Sequence, residues 1–386
     1  MKRNICKTVL LCVLPLSLWL SGCDDWLKTE AIDFENIDLN ATTKTDEYYA
    51  ALREWKNTPG LPQTFVWFDN WSGTSQTGEN SLRGLPDSLT IASNWGGHPK
   101  FDLSPERKAD MEYVQQVKGT KVVVTLFSAK VGEDMPDDPI YDIGNSSDES
   151  VVRPAIRHYA EAIYDAVVAS GYDGFDWDYE PQGGGGTGNY LWTNTTQRRI
   201  FVEELSYWFG KGATDPARNR DGRKEAKSGL LFLIDGEVGI RGRMDKDWLS
   251  YYVDYFVLQA YGSTTETNLN SRVAGVIVDM SDWIDAGVIT KEEVVRRTIL
   301  TENFESYAGT GGGVLVQSSF VYAPTSGADL GVEQQIGGFG IYRVGFDYNQ
   351  GKGDYLGSPE YYYLRQGITN IYRIFNERKN NPPANG

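Results

Sequence analysis

An α/β fold, specifically a (β/α)8 TIM barrel, is what this sequence predicts, and three observations predict it. Eight strand-like apolar runs alternate with helical segments in a single pass. The third run, Lys121–Ser128 (KVVVTLFS), is apolar on both faces, as a strand buried in a parallel sheet must be. No Pro/Gly/Ser linker cuts the chain in two, and 386 residues accommodate one barrel of about 250 residues or more with extensions.

Taken in order, Lys2 and Arg3 precede an apolar run from Thr8 to Leu20, too short to span a bilayer and of signal-peptide length. Residues 1–22 are therefore expected to be an export signal. Residues 23–44 lack periodicity and read as a tether, the barrel is expected over 45–378, and 379–386 reads as a frayed tail. A first helix is expected near Thr45, with Thr43 and Asp46 as an imperfect capping box and Tyr49, Leu52 and Trp55 on one side, placed to plug the barrel floor.

Strand one is expected over Thr64–Asp69 and strand two over Asp87–Ser93, with loops carrying Trp71 and Trp95 behind them. Helices are expected over Ser104–Lys118 and Val151–Ser170, the second with Ile156, Tyr159, Ile163 and Val167 at helical spacing. Strand four follows at once. Strand five is Leu230–Ile234, strand six Tyr255–Tyr261, strand seven Thr298–Asn303 and strand eight Gly338–Val344, closed by a helix over Pro359–Glu377. Gly183–Gly186 suggests a mobile loop or a spacer, and the locally basic Arg218–Lys227 a solvated loop.

The chemistry concentrates in strand four, Asp173–Glu180, which reads Asp-Gly-Phe-Asp-Trp-Asp-Tyr-Glu. Strand side chains alternate, so Asp176, Asp178 and Glu180 share one face while Phe175, Trp177 and Tyr179 share the other. Carboxyls two residues apart stand about 6 to 7 Å from one another along a strand, and crowding pushes at least one toward its protonated form, as a general acid requires. Asp173 has the opposite parity to these three and is expected to anchor the start of the strand. At the end of strand six Gln259 and Tyr261 share a face, at the rim where barrel enzymes keep their chemistry.

Composition narrows the partners. Lys+Arg 37 against Asp+Glu 53 gives a net charge of −16, which repels phosphate backbones and argues against nucleic acid. With 11 Trp and 23 Tyr there are more rings than a core alone usually takes, and sugar faces stack on such rings; Trp71 and Trp95 are the candidate substrate contacts. The two histidines, His98 and His158, form no triad or metal-ligand grouping, so neither a metal nor another cofactor is expected.

The strand-four residues fill the pattern Asp-Gly-x-Asp-x-Asp-x-Glu and so resemble glycoside hydrolase family 18. The resemblance implies a barrel with Glu180 as acid, Asp178 orienting a substrate acetamido group, Asp176 holding Asp178, and Tyr261 with Gln259 binding the acetamido carbonyl. The Gln259/Tyr261 pair resembles endo-β-N-acetylglucosaminidases, whereas many chitinases have Met at the first position. Ser128-Ala129-Lys130 also departs from the Ser-x-Gly-Gly of common chitinases. The implied activity is cleavage within the N,N'-diacetylchitobiose core of N-linked glycans; a chitinase-like hydrolase and an inactive glycan-binding protein are the alternatives. Leu20-Ser21-Gly22-Cys23 resembles a bacterial lipobox, which implies lipidation at Cys23. Cys6 and Cys12 leave with the signal, so no disulfide is expected. The expectation is a monomeric outer-membrane lipoprotein, displayed on a Gram-negative cell surface, with a glycan or glycoprotein as its partner.

Overall fold

The computed structural model describes residues 44–380 apart from 76, 97–98, 184–185, 239–251, 318–319, 325–329, 332 and 351–358. Eight strands, β1 (Gln63–Phe68), β2 (Ile91–Asn94), β3 (Lys121–Leu126), β4 (Gly174–Tyr179), β5 (Leu231–Gly236), β6 (Tyr255–Gln259), β7 (Thr298–Asn303) and β8 (Gly338–Tyr342), pair in sequence order into a closed barrel. All pairings are parallel, and β8 closes onto β1. The helices are α1 (Asp46–Lys56), α2 (Pro105–Tyr113), α3 (Glu149–Ser170), α4 (Tyr190–Thr193), α5 (Thr195–Leu205) and α6 (Glu266–Asp279). They continue with α7 (Ser281–Asp285), α8 (Lys291–Arg296), α9 (Phe304–Tyr307), α10 (Val314–Gln317) and α11 (Tyr362–Asn380). The expected (β/α)8 architecture is the one found.

Alternation divides the apolar side chains between two cores. Phe65, Trp67, Ile91, Val123, Leu233, Val257 and Ile299 point inward and fill the barrel, whereas Val66, Val122, Val124, Phe175, Trp177 and Ile234 point outward under the helices. Strand registration is helped by one device used twice. Asp173, just before β4, accepts a hydrogen bond from Val122 N of β3 (2.9 Å), and Asp254, just before β6, accepts one from Phe232 N of β5 (2.9 Å). The expected role of Asp173 as an anchor is thus seen in its contacts.

Several element boundaries differ from expectation for identifiable reasons. The first helix is capped by Thr45, which accepts from Tyr48 N; Thr43 lies outside the described residues. This helix lies against the N-terminal ends of β2 and β3, where Lys56 donates to Leu89 O (2.6 Å) and Thr120 Oγ1 (2.9 Å). Asp87 is not in a strand: it is buried between Lys44 (3.0 Å) and Lys118 (2.9 Å), and these charges hold its carboxyl low despite burial. The segment after α2 tightens into a π turn, Val114–Lys118, before left-handed Gly119. Strand six ends at Gln259, since Ala260 N turns back to Leu258 O (2.8 Å), and Tyr261 lies in the turn beyond. The last helix runs to Asn380, past the expected start of the tail.

The basic segment after α5 is a largely exposed loop, as expected, but its three arginines fold back onto the protein. Arg218 donates to Ser206 O (2.7 Å) and Arg220 to Tyr207 O (3.0 Å), capping carbonyls just beyond the C-terminus of α5, where positive charge is favoured. The Arg218 guanidinium also lies 3.5 Å from the Tyr207 ring centroid. Arg223 pairs with Glu204, a residue with no solvent exposure that Arg153 and Arg157 also approach, at 3.3 and 3.5 Å. Removing a buried ion-pair partner strands the remaining charge. Glu204→Ala is expected to lower the unfolding free energy by about 3 kcal/mol, read from the midpoint of a urea titration.

Candidate active site

The local sequence explains how β4 delivers its carboxyls. Helix α3 ends at Gly171 in the left-handed region (φ 86°), and Tyr172 and Asp173 lead into the strand. At Gly174 a Cβ would stand 2.5 Å from Leu231 O, so only glycine lets β5 approach this closely. The strand then presents Asp176 and Asp178 to the barrel interior and Phe175, Trp177 and Tyr179 to the helices, with Glu180 just past its end.

Above these side chains opens a cavity of about 300 Å³. Asp178, Glu180, Asp235, Gln259 and Tyr261 form its polar part, and Trp67, Trp95, Phe127 and Tyr342 its aromatic walls. Of the residues singled out from the sequence, the structure therefore brings together Asp176, Asp178, Glu180, Gln259, Tyr261 and Trp95. Asp176 lies beneath, accepting from Thr125 Oγ1 (2.7 Å) and Trp67 Nε1 (3.3 Å), and Thr125 in turn shares a 2.5 Å hydrogen bond with Ser93. Gln259 Nε2 donates to Glu180 Oε1 at 2.5 Å and reaches Asp235 Oδ1 at 3.4 Å. Tyr261 stacks on Tyr342 with ring centroids 5.7 Å apart, and its buried hydroxyl has no hydrogen-bond partner among the described residues.

Trp71 is not part of this site. It is 1% exposed, in the outer core, and donates through Nε1 to Asp110 Oδ2 (2.8 Å), which also accepts from Leu82 N, while Ser81 Oγ donates to Asp110 Oδ1. A Trp in the loop after a barrel strand can face the mouth or fold under it, and the buried Asp110 decides for the latter. His158 lies on the outer surface, 3.3 Å from Asp138. His98 falls outside the described residues, as does the middle of the Gly183–Gly186 loop. No group of three or more His, Cys, Asp or Glu among the described residues is disposed to hold a metal ion.

Electrostatics set the protonation of the floor. Burial pushes Asp176 up to about 6, against the opposing effect of its hydrogen bond from Thr125. Asp178 is held well above the usual carboxylate range by burial, and then by the like charges of Glu180 and Asp176. Burial lowers Lys100, on the loop after β2, to about 8, although Asp134, Asp178 and Asp176 pull it the other way. Trp67, Phe127, Asp235, Tyr342 and Lys100 were not singled out as site residues from the sequence. The inward parity of Trp67 and the position of Asp235 at the C-terminal end of its strand were available signals; Lys100 had none.

At the rim, Phe127 is 40% exposed and packs edge-on against Trp192, with centroids 4.3 Å apart. The next residue, Ser128, is in the left-handed region (φ 39°), costly for a residue with a side chain. It is held there from behind: Trp177 Nε1 donates to Ser128 O (3.2 Å), and Ser128 Oγ shares a 2.9 Å hydrogen bond with Tyr159 of α3.

The profile of glycoside hydrolase family 18, BT1044-like, matches residues 27–369. The chain belongs to that family. As a family 18 hydrolase it is 25% identical to a solved Glu→Gln variant of the BT1044 protein, with a TM-score of 0.61 over 88% of this chain and 96% of that one. The endo-β-N-acetylglucosaminidase of Cordyceps militaris, solved without ligand, is 17% identical with a TM-score of 0.55 over 86% of this chain and 97% of the other. An Asp→Asn, Glu→Gln variant of the Cordyceps enzyme, in complex with fucosyl-N-acetylglucosamine-Asn, is 16% identical with a TM-score of 0.52 over the same shares. No curated protein sequence matches the chain.

The placement of Trp71 has a direct test. In this family 18 hydrolase Trp71→Ala is expected to cost about 3 to 5 kcal/mol of stability, as for a buried Trp, and to leave KM unchanged. A rise in KM without loss of stability would return Trp71 to the substrate.

Proposed function

We propose that this hydrolase is an endo-β-N-acetylglucosaminidase that cuts the β-1,4 bond of the N,N'-diacetylchitobiose core of N-linked glycans, with retention and with help from the substrate. The observation that carries the reading is the single cavity in which Asp178, Glu180, Gln259 and the unpartnered Tyr261 hydroxyl converge over Asp176. A cavity of about 300 Å³ is at the small end of ligand sites and suits one sugar ring held tightly. Trp95 and Phe127 in its walls offer aromatic faces on which a sugar can stack. The likeness to the Cordyceps endo-β-N-acetylglucosaminidase supports the same reading, as does the resemblance of the Gln259/Tyr261 pair, which favours it over a chitinase.

Family 18 enzymes are exceptions to the two-carboxylate retaining scheme, because the substrate supplies the nucleophile. Glu180 gives its proton to the glycosidic oxygen, and the bond from that oxygen to the anomeric carbon breaks with its electron pair going to the oxygen. The carbonyl oxygen of the 2-acetamido group bonds to the anomeric carbon from the opposite face, forming an oxazolinium ion. Asp178 accepts a hydrogen bond from the acetamido N–H and so orients the group for attack. Asp176 shares a proton with Asp178, and Tyr261 donates its hydroxyl to the acetamido oxygen. Water then opens the ion, with Glu180 taking up the proton.

Incubating the purified mature chain with a glycoprotein should leave one N-acetylglucosamine on each released asparagine site, read by mass spectrometry. An intact glycan together with cleaved chitin oligomers would favour a chitinase, and no cleavage of either would leave a glycan-binding protein. Glu180→Gln should lower kcat by about 10² to 10⁴-fold while glycan binding persists, since the amide keeps the shape and loses the acid proton. Asp178→Asn should be comparably damaging although Asp178 never bonds to carbon, and a thiazoline mimic of the oxazolinium ion should bind far more tightly than substrate. A sugar covalently attached to any carboxylate during turnover would overturn this mechanism.

The same proposal extends to location. No helix among the described residues is long and apolar enough to cross a membrane, and Cys23 lies outside them. Lipidation at Cys23, with display at the outer membrane, rests on the Leu20-Ser21-Gly22-Cys23 resemblance. Cys23→Ala is expected to move the protein from the membrane fraction to the soluble one with its melting temperature unchanged; retention in the membrane would point to another anchor.

A further inference from the structure

Asp235 has no part in the mechanism above, yet it stands where that mechanism's charges meet. It lies on β5 directly across from Asp178 on β4, is 1% exposed and lines the cavity. Its carboxyl is within hydrogen-bond reach of both Asp176 and Asp178. On the other side its Oδ1 takes the weaker arm of the Gln259 amide, whose short arm goes to Glu180.

Three oxygens in this cluster, Asp176 Oδ1, Asp178 Oδ1 and Asp235 Oδ2, receive no hydrogen from any N–H or hydroxyl among the described residues. Buried carboxyl oxygens facing one another are acceptors only, unless a carboxyl itself carries the proton. A proton on one carboxyl then serves its neighbour, and orphaned acceptors become a hydrogen-bonded set. We propose that Asp235 is a positioning residue for the reaction, holding Asp176 and Asp178 through a shared proton and Glu180 through Gln259. This inference rests on the functional reading of the preceding section, and its test separates the two.

The charged and titratable groups around Asp235 are Asp176, Asp178 and Glu180 from β4 and its end, Tyr261 beyond β6, and Tyr342 of β8 across the cavity. Lys100 sets an opposing positive field against Asp176 and Asp178. Glu237, further along the same chain, instead accepts from Gln182 N. Burial, then the like charges of Asp176 and Asp178, hold Asp235 well above the usual carboxylate range. A cluster of four mutually repelling acids gives up its last proton at a higher pH than a cluster of three.

Asp235→Asn is therefore expected to move the alkaline limb of the kcat profile down by about one pH unit. It should lower kcat by about 10 to 100-fold, as losing a partner behind a reacting group does, with KM held within about threefold. Asp235→Glu, which keeps an acid, should bring the limb back. A second measurement needs no substrate. A carboxyl with a raised folded pKa binds its proton more tightly in the native state, so it stabilises the fold at low pH and that stability is lost as pH rises toward the folded value. The Asn variant should accordingly lose less melting temperature between about pH 4 and pH 8 than the parent chain does.

An unmoved limb in an active Asn variant would overturn the role of Asp235 while the endo-glycosidase reading stands. If the parent chain releases no glycan, that reading fails, and the melting curves decide on Asp235 alone: a flatter pH dependence supports the shared proton, and parallel curves overturn it. Should Asp235→Asn not fold, Asp235→Ser is read in the same way.

Discussion

The constraint on which this structure depends is the cost of putting several carboxyls together out of water. One buried carboxylate without a cation is expensive, and several at close range cannot all be ionised. The barrel meets this by packing Asp176, Asp178 and Asp235 against one another, with the field of Lys100 set against Asp176 and Asp178 and with donors from Thr125, Trp67 and Gln259. Much of the remaining architecture keeps them in position: Gly174 lets β5 come close, Asp173 pins the start of β4, and the outward aromatics seat the strand under its helices.

The same strand carries both requirements on alternating positions, and this is why the site was legible. Asp176, Asp178 and Glu180 could be placed on one face from parity alone, and the apolar runs were enough to anticipate eight strands. What the chain did not disclose were partnerships between distant segments. Trp71 looked like a rim ring until Asp110, 39 positions later, claimed its indole nitrogen. The arginines of 218–227 looked solvated because nothing local reveals the uncapped carbonyls beyond α5 or the buried Glu204. Asp235 fell one residue beyond the strand as drawn from its apolar run, since a polar side chain pointing into a barrel leaves no hydrophobic mark.

The two cores of the barrel are also not independent. Trp177 belongs to the outer core, but its indole holds the carbonyl of Ser128, the residue that turns the chain after Phe127. Tyr159, on the outer helix α3, grips the Ser128 hydroxyl and also donates to Glu133 O (2.8 Å). The wall that looks purely structural from the helix side thereby shapes the loop that lines the cavity.

This coupling bears on how the selectivity of a family 18 hydrolase can change over generations of a gene. The obvious place to look for altered selectivity is the set of loop tips that touch substrate, and a library confined to them would treat α3 as scaffold. Because the strained Ser128 that follows Phe127 is held by the Trp177 indole and by one hydroxyl on that helix, Tyr159→Phe removes one of two ties behind a rim residue without altering any rim codon. Drift in the scaffold then reaches the mouth from behind, and two relatives with identical rim residues can differ in how firmly those residues are held.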